Sequence, residues 1–248
     1  MFDTVAAVRQ PLQCLSMIDP SIDPSTLQTM RQDWDARAKE NAKHYVATSR
    51  ENWNSDEFLR EGAEQVHELV EKHSAEICNG RAPSDMRILE IGCGIGRMTM
   101  ALSRFFGAVD AVDISPEMIA QARLILAERT NVQLHVNNGA DLSIFADSSF
   151  DFAISIIVFQ HIPKRAIIEN YIRETWRVLR PSSLFKFQVQ GCAIPEHLAN
   201  TWVGVGFSEA EMQEIAARTA FEITESSGAG TQYYWLTFAK GRGGTGQQ

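Results

Sequence analysis

Paired cysteines, long apolar runs and an excess of positive charge are all missing from this 248-residue chain. The four cysteines show no Cys-x-x-Cys spacing and no pairing with histidine; they are Cys14, Cys78, Cys93 and Cys192. They therefore predict neither a zinc or other metal site nor a disulfide framework, and the expected location is a reducing cytoplasm.

The sequence also lacks the usual features of membrane and nucleic-acid-binding proteins. Apolar runs such as 156–159 are too short to span a bilayer, and the N-terminus has neither the basic nor the long apolar region of a signal peptide. Lys and Arg total 23 against 31 Asp and Glu, which gives a net charge of −8. That balance argues against an extended phosphate-binding surface, so no nucleic-acid partner and no membrane span are expected.

One segment, residues 86–106, carries most of the functional information. An apolar run over 86–91 ends at three alternating glycines, Gly92, Gly94 and Gly96, and an amphipathic stretch follows at once. This pattern predicts a buried strand, a tight turn and a helix. Glycines at such a turn let a ligand lie against bare backbone and face the N–H groups of the helix.

The glycine spacing differs from the dinucleotide fingerprint Gly-x-Gly-x-x-Gly. If the fingerprint began at Gly92, Arg97 would occupy the position of the third glycine, and if it began at Gly94, Thr99 would occupy it. A second short strand over 108–112 is followed by Asp113, 23 residues after Glu90. An acid at an exposed strand tip can accept hydrogen bonds from both hydroxyls of a ribose. The alternative is a solvated loop carboxylate.

Two segments in register resemble class I S-adenosylmethionine-dependent methyltransferases of the small-molecule, type 11 and 25 kind. They are Glu-x-Gly-x-Gly-x-Gly at 90–96 and Val-Asp-Ile-Ser-Pro-Glu-Met at 112–118. The resemblance implies an α/β fold, a doubly wound Rossmann-like sheet of seven strands with a C-terminal antiparallel hairpin and an N-terminal helical lid. It also implies S-adenosyl-L-methionine as cofactor and S-adenosyl-L-homocysteine as product.

Alternating apolar and amphipathic segments from residue 86 onward favour the same fold. Strands are predicted at 86–91, 108–112, 132–136, 150–156 and 183–190, and helices at 96–106, 115–129, 164–179 and 208–219. Two more strands, at 221–226 and 231–239, are joined by a glycine-rich turn and predict an antiparallel hairpin.

Upstream of the sheet, residues 1–24 predict an irregular arm, and helices are expected at about 25–47 and at 55–77. We therefore expect three regions along the chain. They are an N-terminal arm and helical lid over 1–80, a methyltransferase domain over 81–240 and a flexible tail over 241–248.

The resemblance also implies a set of cofactor-binding residues. They are Glu90, Gly92, Gly94 and Gly96 in the glycine turn; Asp113, Ile114 and Met118 after the second strand; Asn138, Gly139, Ala140, Asp141 and Leu142 after the third; Gln160 after the fourth; and Tyr45 and Phe58 in the lid. Glu90 is expected to face the ammonium group of the ligand. Asn138 is expected to accept from adenine where the family usually has aspartate, with Asp141 or a plain Asn-Gly turn as alternatives.

His161, at the end of the fourth strand, is the candidate catalytic base because its unperturbed pKa is about 6.5. The alternative is that its ring anchors the loop that follows. His197 is the second candidate. A base is needed only when the acceptor is a hydroxyl or a protonated amine, so the sequence does not disclose the acceptor or the methylated atom.

The chain has neither the Asn/Asp-Pro-Pro-Tyr or Pro-Cys motif of base methyltransferases nor an arginine-rich stripe, which favours a small-molecule acceptor. Two other functions stay open from the sequence. One is a protein that binds S-adenosylmethionine or S-adenosylhomocysteine without transferring a methyl group. The other is an unrelated nucleotide-binding enzyme such as a dehydrogenase. Monomer and homodimer are both compatible with the sequence.

Overall fold

The computed structural model describes residues 22–242, so most of the predicted N-terminal arm and the tail after residue 242 lie outside the described residues. Three helices precede the sheet: α1 (Pro24–Val46), α2 (Ser55–Leu69) and α3 (Ser74–Cys78). The remaining elements are β1 (Arg87–Ile91), α4 (Arg97–Phe105), β2 (Ala108–Asp113), α5 (Pro116–Ile125), β3 (Val132–Val136), β4 (Phe150–Ser155), α6 (Arg165–Val178), β5 (Leu179–Val189), α7 (Glu209–Arg218), β6 (Phe221–Ser227) and β7 (Tyr234–Lys240).

The seven strands form one sheet in the order β3-β2-β1-β4-β5-β7-β6. Strands β1 to β5 run parallel, and β7 is antiparallel to both β5 and β6. The predicted doubly wound sheet with a C-terminal antiparallel hairpin is therefore confirmed. Strand order reverses between β1 and β4, and ligands of open α/β sheets bind at the carboxyl ends of strands beside such a reversal.

Central strands are apolar on both faces because helices cover the sheet on each side. All six residues of β4 are buried, as are Ile88 to Ile91 of β1. The core consists of apolar side chains on the two faces of these strands, which belong to two separate buried clusters. This packing holds the carboxyl ends of β1, β2 and β4 in fixed positions.

Several boundaries differ from the sequence prediction, three of them by four residues or more. The helix expected over 55–77 is interrupted after Leu69 by a 3-10 turn, Glu71–His73, whose residues are not buried. The helix expected over 115–129 ends at Ile125, and Leu126, which has φ −100° and ψ 14°, caps it. Strand β5 begins at Leu179, four residues before the predicted start at residue 183. Its pairing with β4 shifts register between Phe150 and Phe152, and this irregularity accommodates the additional residues at the start of β5.

Helix α1 lies across the carboxyl end of the sheet and is held there by polar contacts. Asp35 accepts hydrogen bonds from the Ser115 hydroxyl at 2.5 Å and the Glu117 N–H at 3.2 Å. Arg31 donates to the Asn137 carbonyl at 3.0 Å. Near its end the helix has a kink at Asn41, where φ is −163° and ψ is 78°.

Candidate active site

A cleft of about 880 Å³ opens at the carboxyl ends of the central strands, beneath α1. Nine of the residues predicted from the sequence line it: Tyr45, Glu90, Gly92, Gly94, Asp113, Ile114, Met118, Gly139 and His161. These residues come from five separate segments of the chain. The structure therefore brings the glycine turn, the acid at the end of β2 and the predicted lid residue Tyr45 to one site.

The glycine turn has a backbone shape that other residues rarely adopt. Gly92 and Gly94 have φ of +78° and +54°. A Cβ on Gly92 would lie 2.3 Å from Cγ2 of Val158, and one on Gly94 would lie 2.7 Å from Cγ2 of Val46. The turn therefore needs glycine for both its conformation and the neighbouring side chains.

Asp113 closes the glycine turn onto β2. Its two carboxylate oxygens accept hydrogen bonds from the backbone N–H groups of Gly94 and Ser115, each at 2.9 Å. Burial raises the pKa of Asp113 to about 6, although those two hydrogen bonds act in the opposite direction. Because each carboxylate oxygen has a second lone pair, Asp113 retains capacity to accept from a ligand in the cleft. Asp113 is thus held in the glycine turn by hydrogen bonds, whereas the sequence predicted either an exposed strand tip or a solvated loop carboxylate.

Glu90, at the floor of the cleft, is buried and accepts a hydrogen bond from the Thr99 hydroxyl at 2.6 Å. Burial raises the pKa of its carboxyl group to about 7, and the bond from Thr99 and the charge of Arg97 only partly offset that rise. A cationic group in the cleft would return this pKa toward its ordinary range by stabilising the carboxylate.

Arg97 is the one arginine or lysine that lines the cleft within residues 22–242. Its guanidinium contacts the Glu61 carboxylate at 2.9 Å and donates to Oε1 of Gln65 at 2.9 Å, while its buried Nε has no partner. Burial lowers the pKa of Arg97. In the sequence, Arg97 is informative only because it occupies the position of the third glycine in a dinucleotide fingerprint. Its place in the motif does not indicate that α2 packs against it.

At the other end of the cleft, the structure places Asn137 in the lining instead of the predicted Asn138. Asn137 donates to the Tyr171 hydroxyl at 2.8 Å. The side chain of Asn138 turns back and accepts from the N–H groups of Ala140 and Asp141 at 2.9 and 3.0 Å. Asn138 therefore behaves as the Asn-Gly turn that was the alternative prediction.

Several other predicted contacts lie outside the cleft lining: Gly96, Ala140, Asp141, Leu142, Gln160 and Phe58. Gly96 caps α4 and faces Leu126, and Phe58 is buried within α2 against Trp53 at a ring distance of 5.8 Å. Phe58 therefore does not roof the cleft, because its side of α2 packs inward. Gln160 lines a neighbouring cavity, and one carboxylate oxygen of Asp141 is buried without a partner.

His161 is enclosed by two tryptophans, with ring centroids 5.4 Å from Trp34 and 5.1 Å from Trp202. Its Nδ1 lies 2.6 Å from the Trp202 carbonyl and its Nε2 lies 3.2 Å from the Gln160 amide nitrogen. Burial, together with the charge of Arg37, lowers the pKa of His161 to about 4. The ring is therefore neutral near pH 7, with the proton on Nδ1 and a lone pair on Nε2. His197, by contrast, is in a short 3-10 turn and does not line the cleft.

Met30, Trp34 and Tyr171 are among the further cleft residues that the sequence did not predict. Met30 and Trp34 have the helical spacing of ordinary core residues, and Tyr171 lies on α6 far from any motif. Within residues 22–242, the structure contains no cluster of His, Cys, Asp and Glu side chains that could hold a metal ion. No helix in the described part of the chain has the length and apolarity to cross a bilayer.

Comparison with known proteins agrees with this geometry. Residues 88–182 match the family model of the methyltransferase domain. A ubiquinone biosynthesis O-methyltransferase of Xanthomonas oryzae pv. oryzae is 32% identical over 96 residues, which are 38% of this chain and 39% of that protein. The match thus spans about two fifths of the curated relative's length.

Solved structures share the fold over more of the chain. The 1,6-didemethyltoxoflavin-N1-methyltransferase of Burkholderia thailandensis superposes with a TM-score of 0.62 at 18% identity, covering 90% of this chain and 92% of that one. A Haemonchus contortus phosphoethanolamine N-methyltransferase gives a TM-score of 0.65 at 14% identity, covering 92% of this chain and 52% of that one. Residues 88–182 thus belong to the methyltransferase domain family, and the chain is built on the fold of class I S-adenosylmethionine-dependent methyltransferases.

Proposed function

We propose that the protein transfers a methyl group from S-adenosylmethionine to an oxygen or nitrogen of a small-molecule acceptor. The observation that carries the proposal is a single cleft lined by Asp113, which joins the glycine turn to β2, and by Glu90 and Arg97. The solved relative from Burkholderia thailandensis, which was crystallised with S-adenosylhomocysteine, supports it. A cytoplasmic location and a monomeric or dimeric state belong to the same proposal.

The residues of the cleft fit this cofactor along its whole length. Asp113 would accept from the ribose hydroxyls, and the apolar side chains of Ile114 and Met118 would flank the planar base beside Gly139. At the other end, the unpartnered Nε–H of Arg97 is matched to a carboxylate and the buried Glu90 to an ammonium group. This set of donors and acceptors complements a zwitterionic amino acid attached to a nucleoside.

When bound, S-adenosylmethionine supplies a methyl group on a sulfonium that leaves as a neutral thioether. The protein's own contribution is to orient the acceptor and to exclude water. Trp34 and Tyr45 of α1 cover the cleft, and His161 lies where the cleft meets the neighbouring cavity. For a hydroxyl or ammonium acceptor, we propose that Nε2 of His161 takes the proton in place of its hydrogen bond from Gln160.

Two measurements test the proposed function. Calorimetry is expected to show binding of S-adenosylhomocysteine and none of NAD, because the glycine spacing lacks the third dinucleotide glycine. Labelled S-adenosylmethionine incubated with the protein and a metabolite extract is then expected to give S-adenosylhomocysteine and a labelled product. Binding without transfer in any extract would favour the non-catalytic alternative, and NAD binding alone would overturn both.

Replacing His161 by asparagine tests its role as a base. The amide nitrogen of asparagine can take the place of Nδ1 and keep the bond to the Trp202 carbonyl, while the basic Nε2 is lost. We expect turnover to fall by about 10²–10⁴ with cofactor affinity unchanged. Between pH 6 and pH 9 the wild-type rate should show no histidine titration, since the pKa of His161 is about 4.

The matched control is His161→Ala, which removes the loop anchor as well. If His161→Asn retains normal turnover while His161→Ala lowers the melting temperature, His161 is a loop anchor. His197→Asn would then be the next variant to assay.

A further inference from the structure

A second cavity of about 860 Å³ adjoins the cleft and shares part of its wall. The shared residues are Tyr45, Val46, Arg97, Ile157 and His161. They form the boundary between the two cavities. A molecule in this second cavity would therefore lie next to a cofactor held in the first.

The lining of the second cavity carries no net charge. Its only carboxylate within the described residues, Glu61, is paired with Arg97 at 2.9 Å. His161 is neutral because burial lowers its pKa to about 4. Moving a charged group into such a place costs free energy unless a partner charge is present. The cavity therefore favours an uncharged occupant.

Side-chain amides supply much of the polar surface of the cavity: Gln65, Gln160, Gln190 and Gln232. Gln160 and Gln190 are buried. The fully buried Gln188 donates to Oε1 of Gln160 at 3.0 Å, which fixes the orientation of the Gln160 amide. Gln65 already bonds to Arg97, and Gln160 to Gln188 and His161, so Gln190 and Gln232 are the amides that offer a donor and an acceptor side by side. The Gln190 oxygen accepts one bond, from the Cys192 N–H at 3.4 Å, and keeps a second lone pair. This arrangement complements an N–H next to a C=O.

Aromatic rings form the outer wall. Tyr45 and Trp202 meet edge to face with centroids 5.7 Å apart. Trp202 and Tyr233 keep 37% and 45% of their surface exposed. Flat rings over a polar interior select a planar ligand, which buries both of its faces while its edge meets the amides.

We propose that this second cavity binds the methyl acceptor, and that the acceptor is an uncharged planar heteroaromatic compound with a lactam-like N–H and C=O edge. This inference rests on the proposed function and names the substrate class for the same reaction. The acceptor atom would lie beside His161 and Tyr45, which belong to both cavities.

Binding of three probes of similar size tests the inference without requiring turnover. The probes are carbostyril, a neutral bicyclic lactam; naphthol, which lacks the lactam edge; and the carboxylate derivative of carbostyril. Titrations use protein saturated with S-adenosylhomocysteine and follow the fluorescence change of the tryptophans. We expect carbostyril to bind at least tenfold more tightly than either of the other probes.

Two variants locate the probe in the cavity. Gln190→Leu and the more exposed Gln232→Leu are each expected to weaken carbostyril binding about tenfold, the value of one hydrogen bond to a neutral group. Neither should change the affinity for naphthol or for S-adenosylhomocysteine. Gln133→Leu, on the exposed face of β3, is the matched control and should change nothing.

The outcomes separate this inference from the proposed function. Failure of S-adenosylhomocysteine to bind would overturn the proposed function itself. Two results would overturn only the acceptor class, provided that S-adenosylhomocysteine binds. One is equal or tighter binding of the carboxylate probe, and the other is a carbostyril affinity that is unchanged in both glutamine variants.

Discussion

Replacing Asp113 by alanine is expected to weaken S-adenosylhomocysteine binding by about 10²–10⁴-fold, because two charge-assisted hydrogen bonds to the ribose, each worth about 1.5–3 kcal/mol, would be lost. The same change leaves the N–H groups of Gly94 and Ser115 without their acceptor. We therefore also expect a loss of about 1–3 kcal/mol in the free energy of unfolding. Calorimetry and urea denaturation measure the two effects separately.

Asp113→Asn is the matched control. An asparagine keeps one acceptor oxygen for the backbone but replaces the other by an N–H₂ group, so it should lose affinity for the cofactor. An unchanged dissociation constant in both variants would make Asp113 a purely structural residue of the glycine turn. The proposed place of the ribose would then be wrong.

Replacing Glu90 by glutamine is expected to change stability and affinity in opposite directions. Burial raises the pKa of Glu90 to about 7 from an ordinary value of 4.5. The folded protein thus holds this proton more tightly than the unfolded chain, and stability falls as the pH rises from about 4.5 to about 7. Glutamine removes that loss, so at pH 8 Glu90→Gln should be more stable than wild type by roughly 3 kcal/mol, while the two should be similar near pH 4.

Affinity should fall in the same variant, because glutamine carries no charge for an ammonium group. We expect S-adenosylhomocysteine binding about 10–100-fold weaker at pH 8, the value of one charge-assisted hydrogen bond. In wild type, the affinity should decrease below pH 7 as Glu90 takes up a proton. Thr99→Val is the control, since it removes the hydrogen bond to Glu90 but keeps the carboxylate. A Glu90→Gln protein that is less stable at pH 8, or that binds as wild type does, would contradict this account.

The fold was predictable because its signals are local. An apolar strand, three glycines with positive φ and an amphipathic helix specify one strand–turn–helix unit within residues 86–106. The acid at the end of β2 and the hairpin of β6 and β7 are also specified by short local patterns in the sequence. Boundaries failed where tertiary packing decides them, as at the start of β5, where a register shift against β4 extends the strand.

The site was predictable only where its residues lie within a motif. Glu90, Gly92 and Asp113 have positions fixed by strand ends, and all three line the cleft. Asn137 and Asn138 are adjacent in the sequence, and only the observed turn shows which of them faces the cleft. Arg97 and Tyr171 meet their partners through contacts between distant elements, which a single sequence does not encode in any spacing.

The two cavities draw on different parts of the chain, and this division bears on how the protein can diversify. The part that matches the methyltransferase domain family, residues 88–182, supplies most of the cleft. Most of the second cavity comes from the α1–α2 connection, α2, the segment around Trp202 and the turn before β7. Mutation can therefore remodel these peripheral segments while the glycine turn and its acid stay unchanged. An ancestral chain could in this way acquire a new acceptor while its methyl donor site stayed unchanged.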